Sequence, residues 1–215
     1  MINLSKRIAC LLLTAASLLL PSLAAPAAQV PAMAKTEFFQ SDGSFDLSII
    51  GAPLATKEQC IRYMQRVNPF PLITVPIETL VEYYWQQGLL ENIRPDVAFA
   101  QAIHETGHFR YGGDVVPLQN NYAGIGTTGN KVRGHWFGSA QEGVTAQMQH
   151  LLAYASTAEP QGPIVDPRYQ LVKTGKNFGQ AITWTDLNGR WAVPGKTYGQ
   201  KILKIHARIL EENKS

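Results

Sequence analysis

Cysteine is nearly absent from this chain of 215 residues: there are two, Cys10 and Cys60. Cys10 falls in a leader-like N-terminal stretch, so Cys60 stands alone and no intramolecular disulfide is expected in the mature chain. Cys60 shares a helical face with Met64 and Val67, which fits a packed thiol better than a reactive one. Membrane-length apolar runs are missing as well. Ile8 to Leu20 spans 13 residues, short of the about 20 that a spanning helix needs. Nor does either sign of charge dominate: 19 basic against 16 acidic residues give a formal +3. Removing Lys6 and Arg7 with the leader leaves 17 against 16. That excludes a charge-driven nucleic-acid partner or membrane-surface patch. There is no internal repeat. One local absence bears on chemistry: from Tyr122 to Gln141 there is no Asp or Glu.

What is present begins with the N-terminus. Lys6 and Arg7 precede the Ile8–Leu20 run, and Ser22-Leu23-Ala24 and Ala32-Met33-Ala34 both offer small-x-small cleavage sites. Residues 1–34 therefore read as a secretory signal peptide. A secreted or cell-envelope location is expected, with no membrane insertion once the leader is removed. Residues 35–55 read as an extended, partly loose lead-in, with Gly43, Gly51 and Pro53 and few periodic apolar positions. A single domain is expected over residues 56–215, acting as a monomer.

Helix signals are frequent in that domain. Thr56-Lys-Glu-Gln59 is a capping box opening a helix to about Val67, and Asn68-Pro-Phe-Pro71 ends it. Pro76 opens a second helix through Gln87, with Gly88 as its expected stop. Ser139-Ala-Gln-Glu142 is a second capping box, followed by Val144, Met148, Leu151 and Ala155 at helical spacing. Tyr198, Ile202, Ile205 and Ile209 predict a final amphipathic helix before a polar end, Glu211 to Ser215. Lys131 to Phe137 alternates after Gly129-Asn130 and predicts a small β-hairpin. Asp166-Pro167 reads as a turn, and Phe178 to Gly195 as irregular.

The chain is best organised around Arg94-Pro-Asp-Val-Ala-Phe-Ala-Gln-Ala-Ile-His-Glu-Thr-Gly107. Pro95 suits a first helical position, and Asp96 puts negative charge in the first turn. Val97 to Ile103 is apolar on nearly every face, interrupted only by Gln101, so the helix should be buried. Gly107 should stop it in a left-handed turn. Glu105 then lies on the last turn of a buried helix. Desolvation and the negative end of the helix dipole should both raise its pKa. A carboxyl protonated near neutrality is what a general acid requires. The plain alternative for a Glu so placed is a solvated surface residue.

Ala100-Gln-Ala-Ile-His-Glu-Thr-Gly107, Gly112-Gly113-Asp114-Val115 and Gln119-Asn-Asn-Tyr-Ala-Gly-Ile-Gly126 occur in that order. Downstream come Gly143-Val144-x-Ala146-Gln147-x-Gln149-His150-Leu151, Val165-Asp-Pro-Arg-Tyr169 and Gly189-Arg-Trp-Ala-Val-Pro-Gly195 with Tyr198-Gly199. This set resembles the glucosaminidase domain of glycoside hydrolase family 73. The resemblance implies a mainly α, lysozyme-like α+β fold: a helical domain with a buried catalytic helix and a small β-hairpin lobe. It implies an endo-β-N-acetylglucosaminidase that cleaves β-1,4 bonds after N-acetylglucosamine in peptidoglycan glycan strands, with Glu105 as general acid and no metal or cofactor. Candidate substrate-binding residues are Gln101, Asn120, Asn121, Tyr122 and Trp136. For the two Asn, turn hydrogen bonding is the plain alternative. Trp184 and Trp191 read more readily as core residues.

Ordinary glycosidases flank the bond with two carboxylates. Here Asp114 is the candidate second acid, with a turn role as its alternative. Glu142 is committed to a cap by its spacing. Without a second carboxylate, the substrate's 2-acetamido oxygen can attack the anomeric carbon with retention. A competing class is a zinc metallopeptidase, since His104-Glu105-Thr-Gly-His108 matches H-E-x-x-H. That reading needs the helix to continue through Gly107 to His108, and it needs a third ligand the sequence does not offer. The third class is a non-catalytic wall-binding module, which would keep a groove without needing a buried acid.

Overall fold

The computed structural model describes residues 37–39, 45–129 and 131–213; the signal-peptide reading lies outside them. Six helices carry the domain: α1 Lys57–Val67, α2 Ile77–Glu91, α3 Pro95–Glu105, α4 Ala140–Ala155, α5 Tyr169–Lys173 and α6 Tyr198–Leu210. Single 3₁₀ turns lie at Pro117–Gln119, Thr185–Leu187 and Glu211–Asn213. The one ladder among the described residues pairs β1 Glu37–Phe39 antiparallel with β2 Phe45–Leu47. The fold is mainly helical, as the patterning implies.

Local chemistry sets the helix starts. The Thr56 hydroxyl accepts from Gln59 N–H at 3.2 Å and the Gln59 side chain accepts from Thr56 N–H at 2.8 Å, which completes the box before α1. Ser139 caps α4 by accepting from Glu142 N–H at 3.1 Å. The Glu142 carboxylate reaches past the cap residue to Gly138 N–H at 2.7 Å, so it is committed to structure. The second helix runs beyond its expected stop: α2 continues through Gly88 to Glu91 and ends at Asn92 in left-handed backbone. Gly88 is there for packing. A Cβ on it would lie 2.8 Å from both the Ile93 carbonyl and the Pro95 side chain.

The centre of the core is α3. Val97, Ala98, Phe99, Ala100, Ala102 and Ile103 are all fully buried. Three alanines let neighbouring helices approach closely, and α2 and α6 pack directly on it. Asp96 anchors its start. The buried carboxylate accepts from Leu54 and Ala55 N–H, both at 2.8 Å, and from His206 Nε2 of α6 at 2.7 Å. Burial pushes its pKa up, but the His206 partner and the two amides outweigh that and hold it below the usual value.

Two expectations need correction. The lead-in is extended, but its second half is tied down rather than loose. Leu47 and Ile49 are fully buried. Ile49 N–H donates to Ile182 O at 2.9 Å, and Arg94 Nε donates to Ser48 O at 2.9 Å. Lys131 to Phe137, in turn, forms no hairpin among the described residues. Its backbone bonds go to a loop instead: His135 N–H to Ile125 O and Phe137 N–H to Gln119 O, both at 2.9 Å. Side-chain amides of Gln119 and Asn121 take its carbonyls at Arg133 and His135, the groups a second strand would have used. The sequence reading also missed α5, which follows directly from the expected turn at Asp166-Pro167.

Candidate active site

Glu105 is the last residue of α3. The chain then enters a tight turn in which Gly107, His108 and Phe109 are successively left-handed, with φ of 58°, 60° and 54°. Tyr111 is left-handed as well, at 58°. Such backbone is costly for bulky residues and persists only where surrounding bonds hold it. Here His108 N–H donates to Ile103 O at 2.7 Å, Phe109 N–H to the Thr106 hydroxyl at 2.9 Å, and Tyr111 N–H to Thr106 O at 2.8 Å. The turn aims His108 away from Glu105: its Nε2 pairs with the Tyr63 hydroxyl at 3.1 Å. The helix therefore ends before His108, and His104 and His108 are not successive turns of one helix, as the zinc pattern requires. Among the described residues no three His, Cys, Asp or Glu side chains gather in a metal-ligating group.

Glu105 is half-buried, and desolvation pushes its pKa up to about 7 against hydrogen bonding from Tyr198 and Trp191. The Tyr198 hydroxyl donates to Glu105 Oε1. Behind it runs a buried chain. Gln101 Nε2 donates to the Tyr198 hydroxyl at 2.8 Å, Gln147 Nε2 donates to Gln101 Oε1 at 2.8 Å, and the Tyr84 hydroxyl donates to Gln147 Oε1. Gln147 Nε2 also donates to the Ala98 carbonyl at 3.0 Å. A backbone carbonyl only accepts, so the Gln147 amide has one possible orientation, and each later link inherits it. Tyr198 must then act as donor toward Glu105. The acid proton belongs on the other oxygen, Oε2, where a Cβ built on Gly124 would lie 3.5 Å away.

That oxygen faces open space. A cavity of about 290 Å³ is lined by Glu105, Tyr111, Asp114, Gly124 and Thr127, among others. Asp114 is the one other carboxylate lining it; its Oδ1 accepts from Lys131 N–H at 3.1 Å. The Tyr111 hydroxyl is buried with no hydrogen-bond partner. A larger cavity of about 630 Å³ lies around Arg66, His108 and Arg208 but does not include Glu105; volume does not locate the chemistry.

The remaining sequence candidates lie elsewhere. Gln101 is fully buried and serves the chain behind Tyr198. Asn121 is buried: its amide donates to Ile125 O at 2.9 Å and its carbonyl accepts from Ile125 N–H at 2.9 Å. Buried Asn120 donates to Phe137 O at 3.1 Å and accepts from the Thr74 and Tyr122 hydroxyls. Their hydrogen-bonding capacity is spent shaping the loop that carries Gly124. Tyr122 is buried too, and Trp136 is exposed without lining the cavity. Sequence reasoning missed Tyr198 and Trp191 at the carboxyl. Both lie in the motif segment Gly189 to Gly199, and that placement was the available signal.

A model of the glucosaminidase family, described as mannosyl-glycoprotein endo-β-N-acetylglucosaminidase, matches residues 81–211. A protein of Borreliella burgdorferi, described as uncharacterized, is 38% identical over 156 residues, covering 73% of this chain and 74% of its own length. No solved structure gives a significant match. The matched span contains Glu105 and its cavity, Tyr198 and the buried amide chain, and on that extent the chain belongs to the glucosaminidase family, glycoside hydrolase family 73, as a hydrolase of the endo-β-N-acetylglucosaminidase type.

Proposed function

We infer that the protein cleaves β-1,4 glycosidic bonds after N-acetylglucosamine in peptidoglycan, with Glu105 as general acid, and does so as a secreted monomer comprising residues 56–215 and the segment tied to them. The family implies a peptidoglycan hydrolase acting in the cell envelope or outside the cell. Among the described residues no helix is long and apolar enough to cross a membrane.

One observation carries the assignment: a carboxyl with a pKa of about 7, bonded on one oxygen and open to a cavity on the other. Near neutrality it holds a proton for much of the time and can pass it from Oε2 to the leaving glycosidic oxygen. A non-catalytic wall-binding module would have no use for a carboxyl so poised.

The test is Glu105→Gln, assayed on purified peptidoglycan beside a thermal melt. The expected outcome is a folded protein with hydrolysis reduced by about a thousandfold or more, on the scale of losing general acid catalysis. Mass spectrometry of wild-type fragments should show reducing-end N-acetylglucosamine. Reducing-end N-acetylmuramic acid, or a well-folded Gln variant with substantial activity, would remove the assignment. Asp114→Asn in the same assay separates two routes for the second half of the reaction. A comparable loss assigns that step to Asp114; retained activity assigns it to the substrate's own 2-acetamido oxygen.

A further inference from the structure

The loop carrying Gly124 has a second face. Besides bordering the Glu105 cavity, residues 123–127 wall another cavity of about 150 Å³ that also takes in Trp191, Arg168 and Arg190. Gly124 and Thr127 border both cavities. Their charges are opposite in kind. The acidic side chains of the first are Glu105 and Asp114, whereas no Asp or Glu lines the second.

The second cavity is held in shape by buried contacts. His150 Nδ1 pairs with Asp166 Oδ2 at 2.7 Å, and both residues are buried. The His150 ring meets the Trp191 ring edge-on, with centroids 4.8 Å apart, and Tyr154 packs against Trp191 at 5.6 Å. The backbone at both arginines is fixed: Arg168 N–H donates to Asp166 Oδ1 at 2.9 Å, and Arg190 O accepts from the Tyr154 hydroxyl at 3.3 Å. The guanidiniums are largely uncommitted. Arg190 reaches Asn177 Oδ1 at 3.3 Å, and the Arg168 side chain makes no hydrogen bond or ion pair with a described residue. Trp191 lines the second cavity and also helps to lower the pKa of Glu105, which lines the first.

We propose that this cavity is a carboxylate subsite, in which Arg168 and Arg190 bind the acidic group carried by a muramyl sugar next to the bond being cut. The proposal rests on the peptidoglycan reading above. In peptidoglycan, neutral N-acetylglucosamine alternates with N-acetylmuramic acid, whose lactyl group ends in a carboxylate or continues into a stem peptide bearing carboxylates. Two guanidiniums that pair with no carboxylate, on a wall without Asp or Glu, fit such a group by charge and by bidentate geometry. A neutral glucosamine polymer offers nothing in its place, so the pair makes the enzyme selective for wall glycan over such polymers.

The experiment uses the full chain carrying Glu105→Gln, so that binding is read without turnover. Chromatography of each mixture first establishes that this protein leaves the sugar intact; cleavage there would break the acid assignment separately from the subsite. Calorimetric titrations then compare GlcNAc–MurNAc oligomers with N-acetylglucosamine oligomers of equal length. Adding Arg168→Gln and Arg190→Gln together should weaken muramyl binding about tenfold or more and change neutral binding by less than about twofold. Arg168→Lys with Arg190→Lys should recover part of the loss. Muramyl oligomers with and without stem peptides identify the carboxylate: a stem peptide turns the lactyl carboxyl into an amide, so a loss confined to peptide-free oligomers names the lactyl group, a loss confined to peptide-bearing ones names the stem, and a loss on both shows that the arginines accept either. An unchanged preference for muramyl oligomers in the Gln pair, or an equal loss on both kinds of sugar, overturns the proposal.

Discussion

The bond from Tyr198 to Glu105 opposes the burial that surrounds both groups. Burial raises the Glu105 pKa, while the hydroxyl donates to the ionised form and pulls it back to about 7. A general acid works while protonated, so kcat/KM should fall as pH rises through about 7. Tyr198→Phe removes the donor and keeps the ring. Because a hydrogen bond to a charged group contributes about 1.5–3 kcal/mol, the alkaline limb should move up by about one to two pH units, with a lower maximal rate. A pH–rate profile of that variant checks the sign: a limb that stays put or moves down would show that Tyr198 does not act on the Glu105 proton. The raised pKa of Glu105 was legible from its place at the end of an all-apolar helix. Tyr198 was not, because it lies 93 positions away and reaches the carboxyl only through the packing of α6 on α3.

Among the elements, α3 holds position through its first turn. Asp96 joins it to the lead-in and to α6 through three bonds in a buried setting. Its pKa is lowered in the folded state. The stability that follows is present above the unfolded value of about 3.9 and is lost as pH falls through the lower folded value. Asp96→Ala removes the one oxygen, Oδ2, that accepts all three bonds and leaves two backbone donors and the His206 ring buried without it. Each buried donor left unsatisfied costs about 1–3 kcal/mol, so the melting temperature at neutral pH should drop by about 10 °C. Calorimetry decides, and a drop of under about 2 °C would show that the pair contributes nothing. Elements set by local chemistry were readable in advance. The Thr56 box and the Ser139 cap need only neighbours along the chain. The end of α2 was not readable, since Gly88 is there because Ile93 and Pro95 fold back against it. The expected hairpin failed for a related reason: side chains of Gln119 and Asn121 took the place of a strand.

At the scale of the whole molecule, the six helices do not complete the fold. A chain beginning at Thr56 would keep every helix yet lose Leu47 and Ile49, both fully buried, and the Ser48 and Ala52 carbonyls that Arg94 bonds. Burial of two such side chains contributes about 1.5–3 kcal/mol each, and Arg94 would lose its bonds to Ser48 and Ala52. A protein starting at Thr56 should melt at least about 10 °C below one starting at Phe45. Equal melting temperatures would show the segment to be dispensable. The sequence offered little here, because a short extended stretch with Gly51 and Pro53 looks the same whether it is loose or clamped; the clamp is supplied by Arg94, Asp96 and the carbonyl of Ile182.

The amide chain behind Tyr198 has a consequence for descent. Its direction begins at the Ala98 carbonyl of α3, passes out to α4, returns to Gln101 on α3, crosses to α6 and comes back to α3 at Glu105. The acid-bearing helix thus sets, through two others, which way a proton points at its own end. A change to either glutamine alone leaves a buried donor or acceptor of its neighbours without a partner. To evolution the pair is a single heritable character: Gln101 and Gln147 can be exchanged together, and scarcely one at a time.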